Sequence, residues 1–356
     1  MSAGVSLDSM EWGTPEFKRA NNMGVQLNLA VLELGFSVIA ADVDTVWMKD
    51  PVEFFERYSR ADMLFSSDGS FSTHKDGGLE DYGGRDPPNS GLYLLRPSAE
   101  NFTRAWVEAT EAGEAVWENQ ALWDLFFENV TYIPDDPDRL FKVYNGTVYS
   151  GVLPVATFAH TFTFFSQHLH EKLGLEPYVV HTTHQFAGLT GKRHRLRDAL
   201  LWNDPPEYFD SPDGFIMWDM DLPEDMLINS APKDMNTANF NDTEGHFVLV
   251  HYQLAQVRQA LAIAKSLNRI LIMSEFWCGH ERSVWPHPGV IYGTQNMSLP
   301  FVCPLNQVLD LDVMKPEKRP GNNDPSLEPY IDFRESSFLR NPRYKLVAEN
   351  IFHANL

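Results

Sequence analysis

The apolar positions of this chain switch between two periods, and the switching predicts helices and strands in turn. Phe17, Ala20, Gly24, Leu27, Val31 and Leu34 recur at helical spacing, and Gly35 follows as a left-handed helix end. The run Phe36–Ala41 then reads as a buried strand. Asp50-Pro51-Val52-Glu53 opens a helix, with Asp as cap and Pro in the first helical position. Asp62–Ser66 and Leu92–Leu95 read as strands, and Phe102–Thr110 and Trp117–Phe127 as helices. Between them Ser70–Pro88, rich in Gly, Asp and Pro, is expected to be a mobile loop. Arg139–Pro154 reads as two strands joined at Asn145-Gly146, and Pro177–Thr183 as one more strand. Asp204–Asn241 reads as an irregular connection, and Phe247–His251, Leu254–Leu267 and Ile270–Met273 as strand, helix, strand. The sum is an α/β protein. Its expected parts are a main domain at 1–203, the connection at 204–245, a small α/β lobe at 246–314, and a linker and tail at 315–356.

Length and composition narrow this picture. A folded chain of 356 residues with 43% hydrophobic content suits one large domain or two. A net charge of -21 argues against a nucleic-acid binder, which would show a basic face, so no nucleic-acid partner is expected. No apolar run approaches the roughly 18 residues of a membrane span, and the first residues are too polar for a signal peptide. Sequons begin at Asn101, Asn129, Asn145, Asn241 and Asn296, which leans toward the secretory lumen. There Cys278 and Cys303 are expected to pair. Serine-hydrolase elbow, phosphate-binding Walker loop and dinucleotide fingerprint are all missing.

The strongest chemical signal is Asp42-Val43-Asp44, directly after the strand Phe36–Ala41. A strand ending in two carboxylates one residue apart can hold a divalent cation against a diphosphate, and hard oxygen ligands suit Mg²⁺ or Mn²⁺. His181 and His184, after Tyr178-Val179-Val180, are candidates for a third ligand. Gly188-Leu189-Thr190-Gly191-Lys192-Arg193-His194-Arg195 combines glycine with a rare basic cluster. It reads equally as a diphosphate clamp through Lys192 and Arg193 or as a solvated basic turn. Asp68 and Asn89 lie at strand ends where a ligand is expected, and Glu118, Asn119 and Gln120 start a helix that could face a sugar. As plain alternatives, Asn89 is a turn residue and Glu118 an acid favouring the helix dipole. Trp47, Trp106, Trp117 and Trp123 are expected mostly in the core.

Several segments together resemble a known family. They are Gly35–Pro51, Ser66-Ser67-Asp68, Asn89–Pro97, His181–Arg197, Asp204–Pro212 and Leu299–Leu305. They resemble the plant and algal arabinosyltransferases that extend arabinose chains on hydroxyproline-rich cell-wall glycoproteins such as extensins. The resemblance implies a GT-A-type nucleotide-diphospho-sugar transferase fold, a UDP-sugar donor, Mn²⁺ (or Mg²⁺), a hydroxyproline-rich glycoprotein acceptor and the Golgi lumen. It places metal and diphosphate binding on Asp42 and Asp44, and it favours His181 as the third ligand. Lys192, with Arg193 beside it, falls on the phosphate side, and Asn89, Asp68 and Glu118 on the sugar side. Glu118-Asn119 stands where relatives carry Asp-Gln, a departure in this chain. Transfer with retention is implied, although no nucleophile stands out. The uridine-binding strand that precedes the paired carboxylates in this fold is not found among the residues before Asp42, so the chain is expected to be N-terminally incomplete. The rivals are a non-catalytic glycan-binding or scaffold homologue and a metal-dependent phosphohydrolase.

Overall fold

The structure, a computed structural model, describes residues 13–82, 87–112, 117–183, 185–233, 243–282, 297–314, 332–343 and 351–354. It divides into two compact units: residues up to Phe164 with His168–Thr183, and Phe165–Gln167 with the residues after Thr183.

The first unit opens with α1 (Pro15–Glu33), capped by Thr14, whose hydroxyl accepts from the Phe17 N–H at 3.3 Å. Its end is a Schellman motif. Gly35 has φ 84°, and the N–H groups of Gly35 and Phe36 donate to the carbonyls of Leu32 and Val31. The helix is where expected, but its buried face is Val25, Asn28, Leu29 and Leu32, while Leu27 and Leu34 are 66% and 73% exposed. Val25, Leu29 and Leu32 form their own stripe at helical spacing, and a polar residue joins it: the Asn28 amide donates to the buried Tyr93 hydroxyl at 2.7 Å. Apolar periodicity does not register such a contact.

The strands β1 (Val38–Ala41) and β2 (Thr45–Trp47) follow, then α2 (Val52–Arg57), whose Val52 N–H is capped by the Asp50 carboxylate at 2.9 Å. Next come β3 (Met63–Ser67), β4 (Pro88–Leu95), α3 (Glu100–Glu111), α4 (Glu118–Phe127), β5 (Thr131–Tyr132), β6 (Phe141–Val143) and β7 (Val148–Val152). They form a six-stranded mixed sheet in the order β1-β4-β3-β7-β6-β5. The β6–β7 turn carries positive φ at Asn145 and Gly146, as its sequence requires. Both faces of the central strands are buried. Met63, Phe65, Tyr93 and Leu95 pack on α1, α3 and α4 through Leu32, Trp106 and Phe126. Leu64, Leu92 and Leu94 pack on Phe54 and Phe55 of α2 and on Phe158 and Val179. The last two belong to β8 (Phe158–His160) and, after α5 (Leu169–Leu173), to β9 (Val179–His181). These complete a second sheet, β2-β9-β8.

The segment expected to be a mobile loop is pinned over residues 72–80. The Glu80 carboxylate, 3% exposed, accepts from Ser72, from both the N–H and hydroxyl of Thr73, and from the Val155 N–H. Four donors on one buried carboxylate outweigh the turn-rich composition. Residues 83–86 lie outside the described residues.

The second unit contains α6 (Gly188–Asp198), β10 (Phe215–Trp218), α7 (Glu224–Ser230), α8 (Glu244–Ser266), β11 (Ile270–Ile272), β12 (Phe276–Cys278), β13 (Phe301–Cys303), α9 (Leu311–Met314), β14 (Phe333–Arg334) and β15 (Ile351–Ala354). Three expectations change here. The connection at 204–245 contains β10, the apolar run after Gly214, which lies at the centre of a parallel sheet ordered β14-β11-β10-β15. The tail supplies β14 and β15, two of its strands. Phe247–His251 is not a strand but part of α8, where buried Leu249, Val250, Gln253, Val257, Ala260 and Ala264 follow the helical period. A β-branched and aromatic run favours strand locally; packing along the whole helix overrides it. Cys278 and Cys303 form a disulfide between β12 and β13. Among the described residues no helix is long and apolar enough to cross a membrane.

Candidate active site

The site in the first unit is assembled by three backbone pairings. β1 ends at Ala41, and the next N–H, that of Asp42, donates to the Gly91 carbonyl at 2.8 Å. The chain turns at once: the Asp42 carbonyl accepts from the N–H and hydroxyl of Thr45 at 3.1 and 2.7 Å. β2 then runs antiparallel to β9 with Thr45 opposite His181. The Asp44 carbonyl accepts from the Thr182 N–H at 3.1 Å and its hydroxyl at 2.9 Å, which locks this register.

As a result one donor atom from each of Asp42, Asp44 and His181 lies within 4.8 Å of the others. His181 Nε2 is 3.5 Å from Asp42 Oδ2 and 3.3 Å from Asp44 Oδ1. The His181 and Asp44 side chains are 8% and 17% exposed, and that of Asp42 is 60% exposed. Burial opposes an imidazolium at His181, but hydrogen bonds and charge from Asp42 and Asp44 outweigh it and hold its pKa up at about 9. Two carboxylate oxygens and one imidazole nitrogen converging from a turn and a strand end fit a hard or borderline divalent cation.

Around this cluster stand Asn89, Ser90 and Gly91 of β4. The Asn89 amide donates to both oxygens of Asp68 at 3.1 and 3.3 Å, and its carbonyl accepts from the Gly91 N–H at 2.8 Å. Asn89 is therefore committed at both ends to the protein, and it fixes Asp68 beyond the end of β3. Glu118 begins α4 and is 7% exposed. Its Oε1 accepts from the Ser90 hydroxyl at 3.2 Å and from Asn21 at 3.4 Å. Burial pushes its pKa up to about 7, and the nearby Asp42 charge adds to the effect, while Ser90 and the Trp117 indole act the other way. Asn119 braces the same strand, its side-chain carbonyl accepting from the Ser90 N–H at 3.0 Å. Gln120 faces outward and donates to Asp124 at 2.8 Å. Trp106 is core, donating from its indole to the Glu118 carbonyl at 2.7 Å, whereas Trp47 is 37% exposed.

Lys192 and Arg193 belong to the second unit. They sit inside α6 rather than in a glycine-rich loop, and Arg193 lies over the Trp202 ring. Gly191 serves packing: a Cβ there would meet the Phe186 carbonyl at 1.9 Å. His194 and Arg195, which stood out with them in sequence, are buried in the unit's interior. His194 lies between Asp198 and Glu335 at 3.0 and 3.3 Å, and Arg195 Nε donates to Asn306 at 2.9 Å. His184 lies outside the described residues.

Comparison with known proteins shows the family of the chain. Residues 3–196 match the family model for nucleotide-diphospho-sugar transferases. The chain belongs to the nucleotide-diphospho-sugar transferase family. It is also similar to Arabinosyltransferase XEG113 of Arabidopsis thaliana, with 36% identity over 348 residues. That match takes in 96% of this chain and 51% of the relative, so the chain spans about half the relative's length. The family match contains Asp42, Asp44, Asp68, Asn89, Glu118, His181, Lys192 and Arg193. Sequence reading missed Gly91, Ser90 and Thr182. The signal for Gly91 was present, since a glycine inside a strand often marks a close approach.

Proposed function

We propose that this transferase moves a pentose, L-arabinofuranose, from a UDP-sugar to arabinosylated hydroxyproline-rich cell-wall glycoprotein in a Mn²⁺-dependent reaction. The observation that carries the reading is the convergence of Asp42, Asp44 and His181 in a chain of this family. The relative's name supplies the arabinose. Asp42, Asp44 and His181 would hold the cation. Bound there, it would supply the positive charge that a departing diphosphate needs.

The chain's own residues account for the rest. Asp68, fixed by Asn89, offers carboxylate oxygens to sugar hydroxyls. Glu118, enclosed beside Ser90, is poised between its charged and neutral forms near neutral pH. The disulfide and the exposed sequon residues Asn101, Asn129 and Asn145 support a secretory compartment, the Golgi lumen.

The test is transfer from UDP-arabinofuranose, UDP-xylose and UDP-galactose to an arabinosylated hydroxyproline peptide, with Mn²⁺ or with EDTA. The proposal expects transfer from UDP-arabinofuranose that EDTA abolishes. Preference for another donor would overturn the arabinose assignment, and transfer undiminished by EDTA would overturn the metal assignment.

A further inference from the structure

We propose that Gly91 is a positioning residue for the cation site: the empty space at its Cα is what lets the His181 imidazole stand between Asp42 and Asp44. The inference rests on the metal reading above. An added Cβ at Gly91 would lie 2.2 Å from His181 Cε1, 2.7 Å from Asp42 Oδ2 and 3.0 Å from Asn89 Oδ1. Gly91 does not take the left-handed conformation, so the backbone alone would accept any residue there. The requirement for glycine is spatial.

The strand geometry explains the close approach. β4 pairs in step with β3 as far as Phe65 opposite Tyr93, and then the register jumps to Ser66 opposite Asn89. Ser90, Gly91 and Leu92 are thereby left out of that ladder, although the Ser66 hydroxyl still donates to the Leu92 carbonyl at 2.9 Å. On its other edge β4 pairs with β1, with Leu92 opposite Ala41, and the Gly91 carbonyl receives the Asp42 N–H. The regular β1–β4 ladder, carried one step past Ala41, thus sets the Gly91 backbone directly against the first carboxylate-bearing residue. Its N–H is held by Asn89 at 2.8 Å, so the peptide has little freedom to retreat. Asp42 is the exposed partner and can swing away from a methyl group. The His181 side chain, 8% exposed and carried by a paired strand, has no such room. A side chain at Gly91 therefore removes the imidazole ligand and leaves the carboxylates.

The experiment compares wild type, Gly91→Ala, His181→Ala and the double variant. Mn²⁺ binding is followed by electron paramagnetic resonance, ligation by ¹⁴N coupling in electron spin-echo modulation, and metal-free stability by thermal unfolding. Wild type should bind Mn²⁺ with a ¹⁴N coupling. Gly91→Ala should bind about 10–100-fold more weakly and lose that coupling. His181→Ala and the double variant should match it, with no added loss. Without metal, the double variant should unfold at a higher temperature than Gly91→Ala, because the methyl group then occupies the space the imidazole vacates. Wild-type affinity and ¹⁴N coupling in Gly91→Ala would overturn the proposal, as would additive losses or a double variant no more stable than Gly91→Ala. Wild type that binds no Mn²⁺ would overturn the metal reading and this inference with it.

Discussion

Replacing Glu118 with Gln should stabilise the protein at alkaline pH while impairing transfer. Glu118 is 7% exposed, and burial is the main reason that its pKa rises from 4.5 to about 7. The difference corresponds to about 3 kcal/mol between the charged and neutral forms. The sign follows from proton binding: between about pH 4.5 and pH 7 the folded chain holds a proton that the unfolded chain has released. Stability from this residue is therefore complete below pH 4.5, is lost as pH rises through about 7, and stays lost above it. Gln keeps an acceptor for the Ser90 hydroxyl and carries no charge to bury. The variant should melt about 6–12 °C higher than wild type at pH 8 for a unit of this size, with a difference near zero at pH 4. Thermal unfolding at the two pH values is the assay. An equal shift at both, or a lower melting temperature at pH 8, would refute the reasoning. The accompanying loss of activity would mark Glu118 as a group whose burial serves the sugar site rather than the fold.

Two further predictions concern the second unit. His194 and Glu335 are buried together: burial works against both charges, but Asp198 and then Glu335 hold His194 up at about 9, while His194 and then Arg197 hold Glu335 down at about 2. The His194 contribution is in place below about pH 6.5 and lost as pH rises through about 9, and that of Glu335 is in place above pH 4.5 and lost as pH falls through about 2. Glu335→Gln should thus be destabilised by about 3–5 kcal/mol near pH 6 and by less above pH 9; denaturant unfolding that gave a pH-independent difference would contradict the pairing. Removing the Cys278–Cys303 bridge by a double Ser substitution opens a cross-link between positions 25 residues apart. It should lower stability by about 3 kcal/mol, and an unchanged unfolding midpoint would count against that contribution.

The sequence made some of this site legible because the information was local. Asp42 and Asp44 follow an apolar strand, and His181 ends another, so each candidate could be placed at a strand end. What sequence could not supply was the pairing of β2 with β9 that sets Thr45 opposite His181, or the pairing of β1 with β4 that brings Gly91 beside Asp42. The basic cluster divides for a physical reason. Lys192, Arg193, His194 and Arg195 are consecutive on a helix, so they point in different directions, and His194 and Arg195 point into the unit's interior, where Glu335 and Asn306 receive them. β10 was hidden because its four apolar residues lie among Pro, Asp and Gly, and only the parallel partners β11 and β15 make them a central strand. Phe247–His251 carried a strand-like composition inside a 23-residue helix. In each miss, long-range packing decided between two local readings.

The central claim, a cation-dependent donor site built on Asp42 and Asp44, is tested most directly by calorimetric titration of UDP with and without Mn²⁺. Wild type and Asp44→Ala should be compared in the same buffer. The account predicts UDP binding to wild type that requires Mn²⁺ and is lost in Asp44→Ala. UDP binding that is indifferent to Mn²⁺, or that survives the substitution, would contradict it.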